Sequence, residues 1–175
     1  MRSYSRIVAG LAWVGCAWAQ TQTVMQTVNA QINPIGKVSV PGNLTLTSTG
    51  ALFTPYAGSL MVSYRIRSTA SGTGSITVQA SSDFTPAGGP SIAGGVLSYT
   101  CGGASLGAGC SGSRTVSTTG QTGVVTVSGA SCTGGGGACS SADPNVVQVN
   151  FLLQNSSNYT SGTFSASLTF NISAL

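Results

Sequence analysis

The chain has 175 residues, of which only 5% are charged, and its formal net charge is +4. It contains no histidine and no glutamate, and its two acidic residues are Asp83 and Asp143. Most enzyme mechanisms need a proton shuttle or a metal ion held by such side chains. The composition therefore predicts a protein that is not an enzyme, without catalytic residue, metal or cofactor. Both aspartates stand beside turn-forming residues, so we expect them to cap loops.

The N-terminus has the features of a secretory signal peptide. A positively charged start precedes an apolar run, residues 7–19, which ends in a small-x-small pattern at residues 17–19. The run is shorter than the roughly 20 residues that span a bilayer, which disfavours a membrane anchor. We expect residues 1–19 to be removed, and residues 20–175 to form one domain of a secreted or cell-surface protein with no transmembrane segment.

Few charges remain beyond the predicted signal peptide. The cations are Lys37, Arg65, Arg67 and Arg114, set against the two aspartates. Proteins that bind nucleic acid neutralise many phosphates with clustered lysine and arginine side chains. So few charges disfavour a nucleic-acid partner.

Short segments along the chain alternate apolar and polar side chains with a period of two, which is typical of half-buried strands. In chain order they are residues 23–32, 38–46 with a Pro-Gly break, 60–67, 76–80, 96–101, 122–128, 145–154 and 163–173. Glycine, serine and threonine, abundant between and within them, suit turns and sheets. No segment after the signal peptide has a helical period. The pattern predicts an all-β protein, an immunoglobulin-like antiparallel β-sandwich of about seven to nine strands.

Four cysteines follow the signal peptide, at Cys101, Cys110, Cys132 and Cys139. In an exported chain they predict two disulfides, for which three connectivities exist. We favour the local pairs Cys101–Cys110 and Cys132–Cys139, because each closes a glycine-rich loop within residues 101–139. The spacing within each pair is too wide for a typical four-thiolate zinc site.

The end of the chain resembles a known class of secreted proteins. Gly162 is followed by an alternating apolar series, Phe164, Ala166, Leu168, Phe170 and Ile172. This series resembles the last strand of chaperone–usher pilus subunits and of spore coat protein U-like secreted proteins. The chain departs from the pilus pattern at Ala174, which stands where those subunits have a tyrosine, and in lacking an early cysteine pair.

The resemblance implies an incomplete immunoglobulin-like sandwich that is completed by an N-terminal strand of a neighbouring subunit. Residues Val24, Val28, Ala30 and Ile32 would then be the donor side chains. The same alternation fits equally a first strand, residues 23–32, of a complete sandwich.

Two functions remain open on these grounds. The first is a secreted structural or adhesive surface protein, a pilin-like filament subunit whose partners are copies of itself. The alternative is a monomeric module that binds carbohydrate or another surface, with surface glycans as partners. No tryptophan follows residue 19, and a sugar-stacking platform is therefore less expected.

Overall fold

The computed structural model describes most of the chain beyond the predicted signal peptide. The described residues are 26–48, 50, 52–69, 72–129, 139–141 and 143–175. Their fold is all-β, with nine strands in two antiparallel sheets packed as a sandwich, which confirms the predicted fold class. Among these residues no helix is long and apolar enough to cross a membrane.

The strands are short, and glycine- or serine-rich turns separate them. In chain order they are β1 (Ile35–Ser39), β2 (Tyr56–Arg67), β3 (Thr73–Ala80), β4 (Leu97–Cys101), β5 (Ala108–Gly109), β6 (Arg114–Thr115), β7 (Thr122–Ser128), β8 (Asn145–Leu153) and β9 (Leu168–Ala174). The five-stranded sheet has the order β1-β2-β8-β4-β6, and the four-stranded sheet the order β5-β7-β3-β9. All strands belong to one compact unit, Ile32–Leu175.

The core lies between the two sheets and consists of one face of each long strand. Its largest fully buried side chains are Tyr64, Tyr99, Phe151, Ile66, Ile76 and Ile92. The hydroxyl groups of the two tyrosines donate hydrogen bonds to backbone carbonyls. Tyr64 donates to the carbonyl of Leu106 and Tyr99 to that of Gly123. These bonds satisfy the polar ends of large buried rings and tie loops to the core.

Of the two predicted strand segments that Pro41-Gly42 separates, the structure contains the first and corrects the second, which carries Leu44 and Leu46. Strand β1 ends at Ser39, and Pro41-Gly42 takes the chain out of the sheet. Leu44 and Leu46 lie outside any strand, and only an isolated bridge from Thr47 to Ala57 returns the chain to β2. Proline lacks a donor for the ladder, which explains why pairing stops at this point.

The predicted strand over residues 23–32 is not found in its described part. Residues 26–34 form neither strand nor helix, and the sheet begins at Ile35. Val24 lies outside the described residues.

The connection after β8 is a crossing between sheets and not a hairpin. Strand β8 lies in the five-stranded sheet and β9 in the four-stranded sheet, with residues 154–167 between them. The two-residue strands β5 and β6 were not predicted, because such short segments have no measurable period.

The disulfide Cys101–Cys110 is present, with a Cα–Cα distance of 5.3 Å. It closes the loop that ends in β5. Cys139 is also disulfide-bonded. Cys132 lies outside the described residues, so the pair Cys132–Cys139 stays a prediction.

Candidate strand-binding groove

Strands β1 and β9 are edge strands, each of a different sheet, and they face each other along one side of the sandwich. At one end they are in close contact: a Cβ added to Gly36 of β1 would lie 2.9 Å from Cγ1 of Ile172 of β9. Glycine at position 36 therefore lets the two sheets approach closely there. The contact between Gly36 and Ile172 closes one end of the side on which β1 and β9 face each other.

Away from this contact the two edges diverge and leave a groove. On one side the chain departs from the sheet after Ser39, and on the other the segment 163–167 leads into β9, which begins at Leu168. The groove between them has a volume of about 1070 Å³. Its apolar lining comes from Leu44, Leu46, Leu60, Phe84, Leu97, Phe151, Leu153, Phe164, Leu168 and Phe170.

The apolar face of the last strand is only partly covered. Leu168, Phe170 and Ile172 are half-buried, although they alternate with polar residues as the core strands do. Phe164 is also half-buried, and its ring packs against Gly89, where an added Cβ would lie 2.3 Å from the ring. Apolar surface that points into the sandwich and still meets water is a candidate interaction surface.

The backbone of β9 also has an unpaired edge. Its hydrogen-bonding residues toward β3 are the odd-numbered ones, as the bonds of Ser81 to Ser167 and of Leu175 to Thr73 show. In an antiparallel ladder the alternate residues direct their N–H and C=O groups the other way. Ala166, Leu168 and Phe170 therefore present these groups to the groove, where no described strand pairs with them. Such an edge is a template for an added strand.

A loop held by Asp83 forms one wall of the groove. Its carboxylate accepts hydrogen bonds from the backbone N–H of Phe84 at 2.8 Å, from that of Ile92 at 2.6 Å and from the hydroxyl of Ser91 at 2.6 Å. Desolvation raises the pKa of Asp83, but the hydrogen bonds from Ser91 and the backbone amides outweigh it and hold the pKa below its usual value. The bonds fix the loop that carries Phe84 and Pro90 into the groove.

The predicted loop-capping role of Asp83 agrees with this geometry. Asp143 lies elsewhere, two residues before β8, and is exposed.

The candidate donor residues are exposed. Val28 exposes 87% of its side chain and Ile32 70%, and Ala30 is exposed as well. The three alternate with the polar residues Asn29 and Gln31, which is the period of a strand. Closer to β1, the carbonyl of Asn33 accepts a hydrogen bond of 3.2 Å from Nε of Arg67.

Sequence reasoning identified the apolar series of the last strand but not the opposite wall of the groove. Leu44 and Leu46 were assigned to a strand, and Phe84 carried no signal at all. Searches against known proteins gave no match to any family model, curated protein or solved structure.

Proposed function

We propose that this chain is a secreted structural or adhesive surface protein that assembles by strand donation. The segment 26–32 of one copy, extended toward Val24, adds to the free edge of β9 of another copy. Its side chains Val28, Ala30 and Ile32 fill the groove. The observation that carries the proposal is the pairing of two incomplete features in one chain: an apolar groove with an unpaired strand edge, and an exposed apolar segment with strand periodicity.

The size of the groove supports a peptide as its occupant. Pockets for small molecules have volumes of roughly 300–1,000 Å³ and are mostly enclosed. At about 1070 Å³ this groove is slightly larger than that range. It runs beside residues 163–170, a length of about 26 Å at about 3.3 Å per residue. Residues 26–32 span about 23 Å when extended, and their length therefore suits the groove.

Addition of a strand would pair the free edge of β9 and would also cover the apolar lining of the groove. The donor's main-chain groups would pair with the edge groups of Ala166, Leu168 and Phe170, and burial of its apolar side chains would contribute roughly 25 cal/mol per Å². Because the donor segment and the groove are different surfaces, each added copy leaves one groove and one segment unused. Such a heterologous contact produces open filaments.

The experiment that tests the proposal compares two variants of the donor segment. Val28→Asp would bury an unpaired charge in the groove and should abolish polymers of the secreted protein. Asn29→Asp adds the same charge to the opposite face of the same strand and should leave polymers intact. Light scattering after size exclusion measures both, and thermal unfolding shows that both variants are folded. A wild type that stays monomeric at high concentration contradicts the proposal.

A mixing experiment adds the groove side. Leu168→Asp should disable the groove, whereas Thr169→Asp, on the outer face of the same strand, should not. Each disabled variant alone should be monomeric, but an equal mixture of Val28→Asp and Leu168→Asp should form only 1:1 dimers, since one intact donor and one intact groove remain. Longer polymers in the mixture, or no complex at all, would argue against heterologous donation.

A further inference from the structure

The outer face of the five-stranded sheet carries its positive charge at one place. Lys37 of β1 lies directly opposite Arg65 of β2, and Arg67 follows two residues later, opposite Ile35. All three cationic side chains are exposed. We call Lys37, Arg65 and Arg67 the cationic patch. Of the four cations beyond residue 19, it contains every one except Arg114.

The arrangement of the patch is unfavourable for the fold itself. Residues directly opposite in an antiparallel pair have Cα atoms roughly 4.5–5.5 Å apart, and like charges in such a pair destabilise the sheet. Charged residues on edge strands often prevent aggregation, which would account for Lys37. It does not account for Arg67, because β2 lies inside the sheet between β1 and β8.

We propose that the cationic patch binds an acidic polysaccharide, one that carries a carboxylate on successive sugars. Arginine guanidinium groups bind carboxylates through two parallel hydrogen bonds, and Arg65 and Arg67 are two residues apart on one strand, with Cα atoms about 6.6 Å apart. Around them the outer face offers hydroxyl and amide groups for sugar hydroxyls, from Ser39, Ser63 and Gln148. Three cations are too few for nucleic acid, whose binding proteins typically contact more phosphates.

The geometry of Arg67 supports a ligand-binding role. Its Nε donates to the carbonyl of Asn33, which fixes the guanidinium beside β1. A guanidinium has five N–H donors. One of them makes this bond, and the side chain as a whole stays exposed.

A single patch of three charges binds weakly, because water and salt screen exposed charges. Repetition along a filament would raise the apparent affinity by roughly 10²–10⁴ if several patches reach one polymer chain. This avidity rests on the proposed assembly by strand donation; the patch itself does not. Protein coupled densely to beads supplies the same multivalency without any filament.

The test applies the full secreted protein, both free and coupled densely to beads, to a surface that carries immobilised polygalacturonate. A surface with neutral dextran is the reference, and the amount of protein retained is measured. Bead-coupled protein should be retained on polygalacturonate only, and Arg65→Gln should reduce retention roughly tenfold or more under multivalent conditions. Arg114→Gln, which removes the same charge from β6, should leave retention unchanged. Lys37→Gln provides a second patch variant, and Arg65→Lys should retain only part of the binding, because it keeps the charge but loses the paired hydrogen bonds of a guanidinium. Retention should fall as sodium chloride is raised.

Three results would overturn the inference: equal retention on dextran, equal loss in Arg114→Gln and Arg65→Gln, or binding to anionic lipid vesicles without binding to polygalacturonate. The bead format separates the two proposals. Beads that bind while the free protein is monomeric and unretained support the patch and contradict strand donation. If the protein forms polymers normally, but neither the polymers nor the protein-coated beads bind polygalacturonate, only the proposal for the cationic patch is contradicted.

Discussion

Strands β8 and β9 carry the same alternation of apolar and polar side chains, yet their apolar faces end in different environments. Strand β8 has β2 on one side and β4 on the other, and Val147, Val149 and Phe151 are buried. Strand β9 has β3 on one side only, and Leu168 and Phe170 are half-buried. Alternation therefore reports which face of a strand points inward, but not whether anything covers it.

The cause of the difference lies in the neighbouring segments. We call one end of the core the closed side; it is filled by Tyr64 of β2, Tyr99 of β4 and the loop closed by Cys101–Cys110. We call the side with the groove between β1 and β9 the open side. There β1 ends after five residues, before Pro41-Gly42, and no described strand takes its place beside β9. The short β1 thus leaves the apolar face of β9 less covered than that of β8.

The largest expected effect compares two phenylalanines. Phe151→Ala should lower the free energy of unfolding by about 3–5 kcal/mol, because its ring, at the floor of the groove, is only 2% exposed and its removal leaves a cavity. Phe170→Ala should cost the isolated monomer about half of that or less, because its ring is already partly in water. Urea unfolding of both variants in the Val28→Asp background measures the pair. Equal costs would mean that β9 is covered after all.

Removal of the disulfide tests the closed side alone. Cys101→Ser with Cys110→Ser should lower the free energy of unfolding by about 2–3 kcal/mol, since a short loop is released in the unfolded chain. A synthetic peptide of residues 23–32 should nevertheless raise the melting temperature of this variant in the Val28→Asp background as much as in the parent protein. A loss of the peptide effect would show that the two sides are not independent.

Asp83→Asn should weaken the open side, because it loosens the loop that carries Phe84 and Pro90. We expect a smaller loss of stability than for the disulfide, and weaker peptide binding. The pKa of Asp83 is lowered in the folded protein, so its contribution is present above the unfolded pKa of about 3.9 and is lost as the pH falls through the folded value. Melting temperatures of the variant and the parent should converge at strongly acidic pH. A difference independent of pH would assign the effect to packing.

The smallest effect concerns the tyrosine hydroxyl of β4. Tyr99→Phe removes the hydrogen bond of 2.8 Å to the carbonyl of Gly123 and should cost about 1 kcal/mol. Peptide binding should be unchanged, since this bond lies on the closed side. Urea titration detects the loss, and a cost near zero would show that water replaces the bond.

The sequence predicted the fold class and most long strands, because each buries one complete face. The strand over residues 122–128 matches β7 at both ends, and that over 145–154 matches β8 to within one residue. The prediction of a strand at Leu44 and Leu46 was wrong, because two apolar residues spaced by one polar residue have the same sequence pattern in a strand and in the wall of a groove. Phe84, in the wall of the groove, is positioned by the hydrogen bonds that the neighbouring Asp83 accepts. One of these comes from Ile92, nine residues along the chain, and the alternation of apolar and polar residues does not predict such a contact.

Hydrogen exchange at individual amides of the last strand tests the open edge most directly. In the Val28→Asp monomer, the amides of Ala166, Leu168 and Phe170 should exchange quickly, whereas those of Thr169 and Asn171, which point to β3, should be protected. In wild-type polymers, or with the peptide of residues 23–32 bound, both sets should be protected. If the even-numbered amides are already protected in the monomer, or stay unprotected when polymers form, the open edge is not where the donated strand binds.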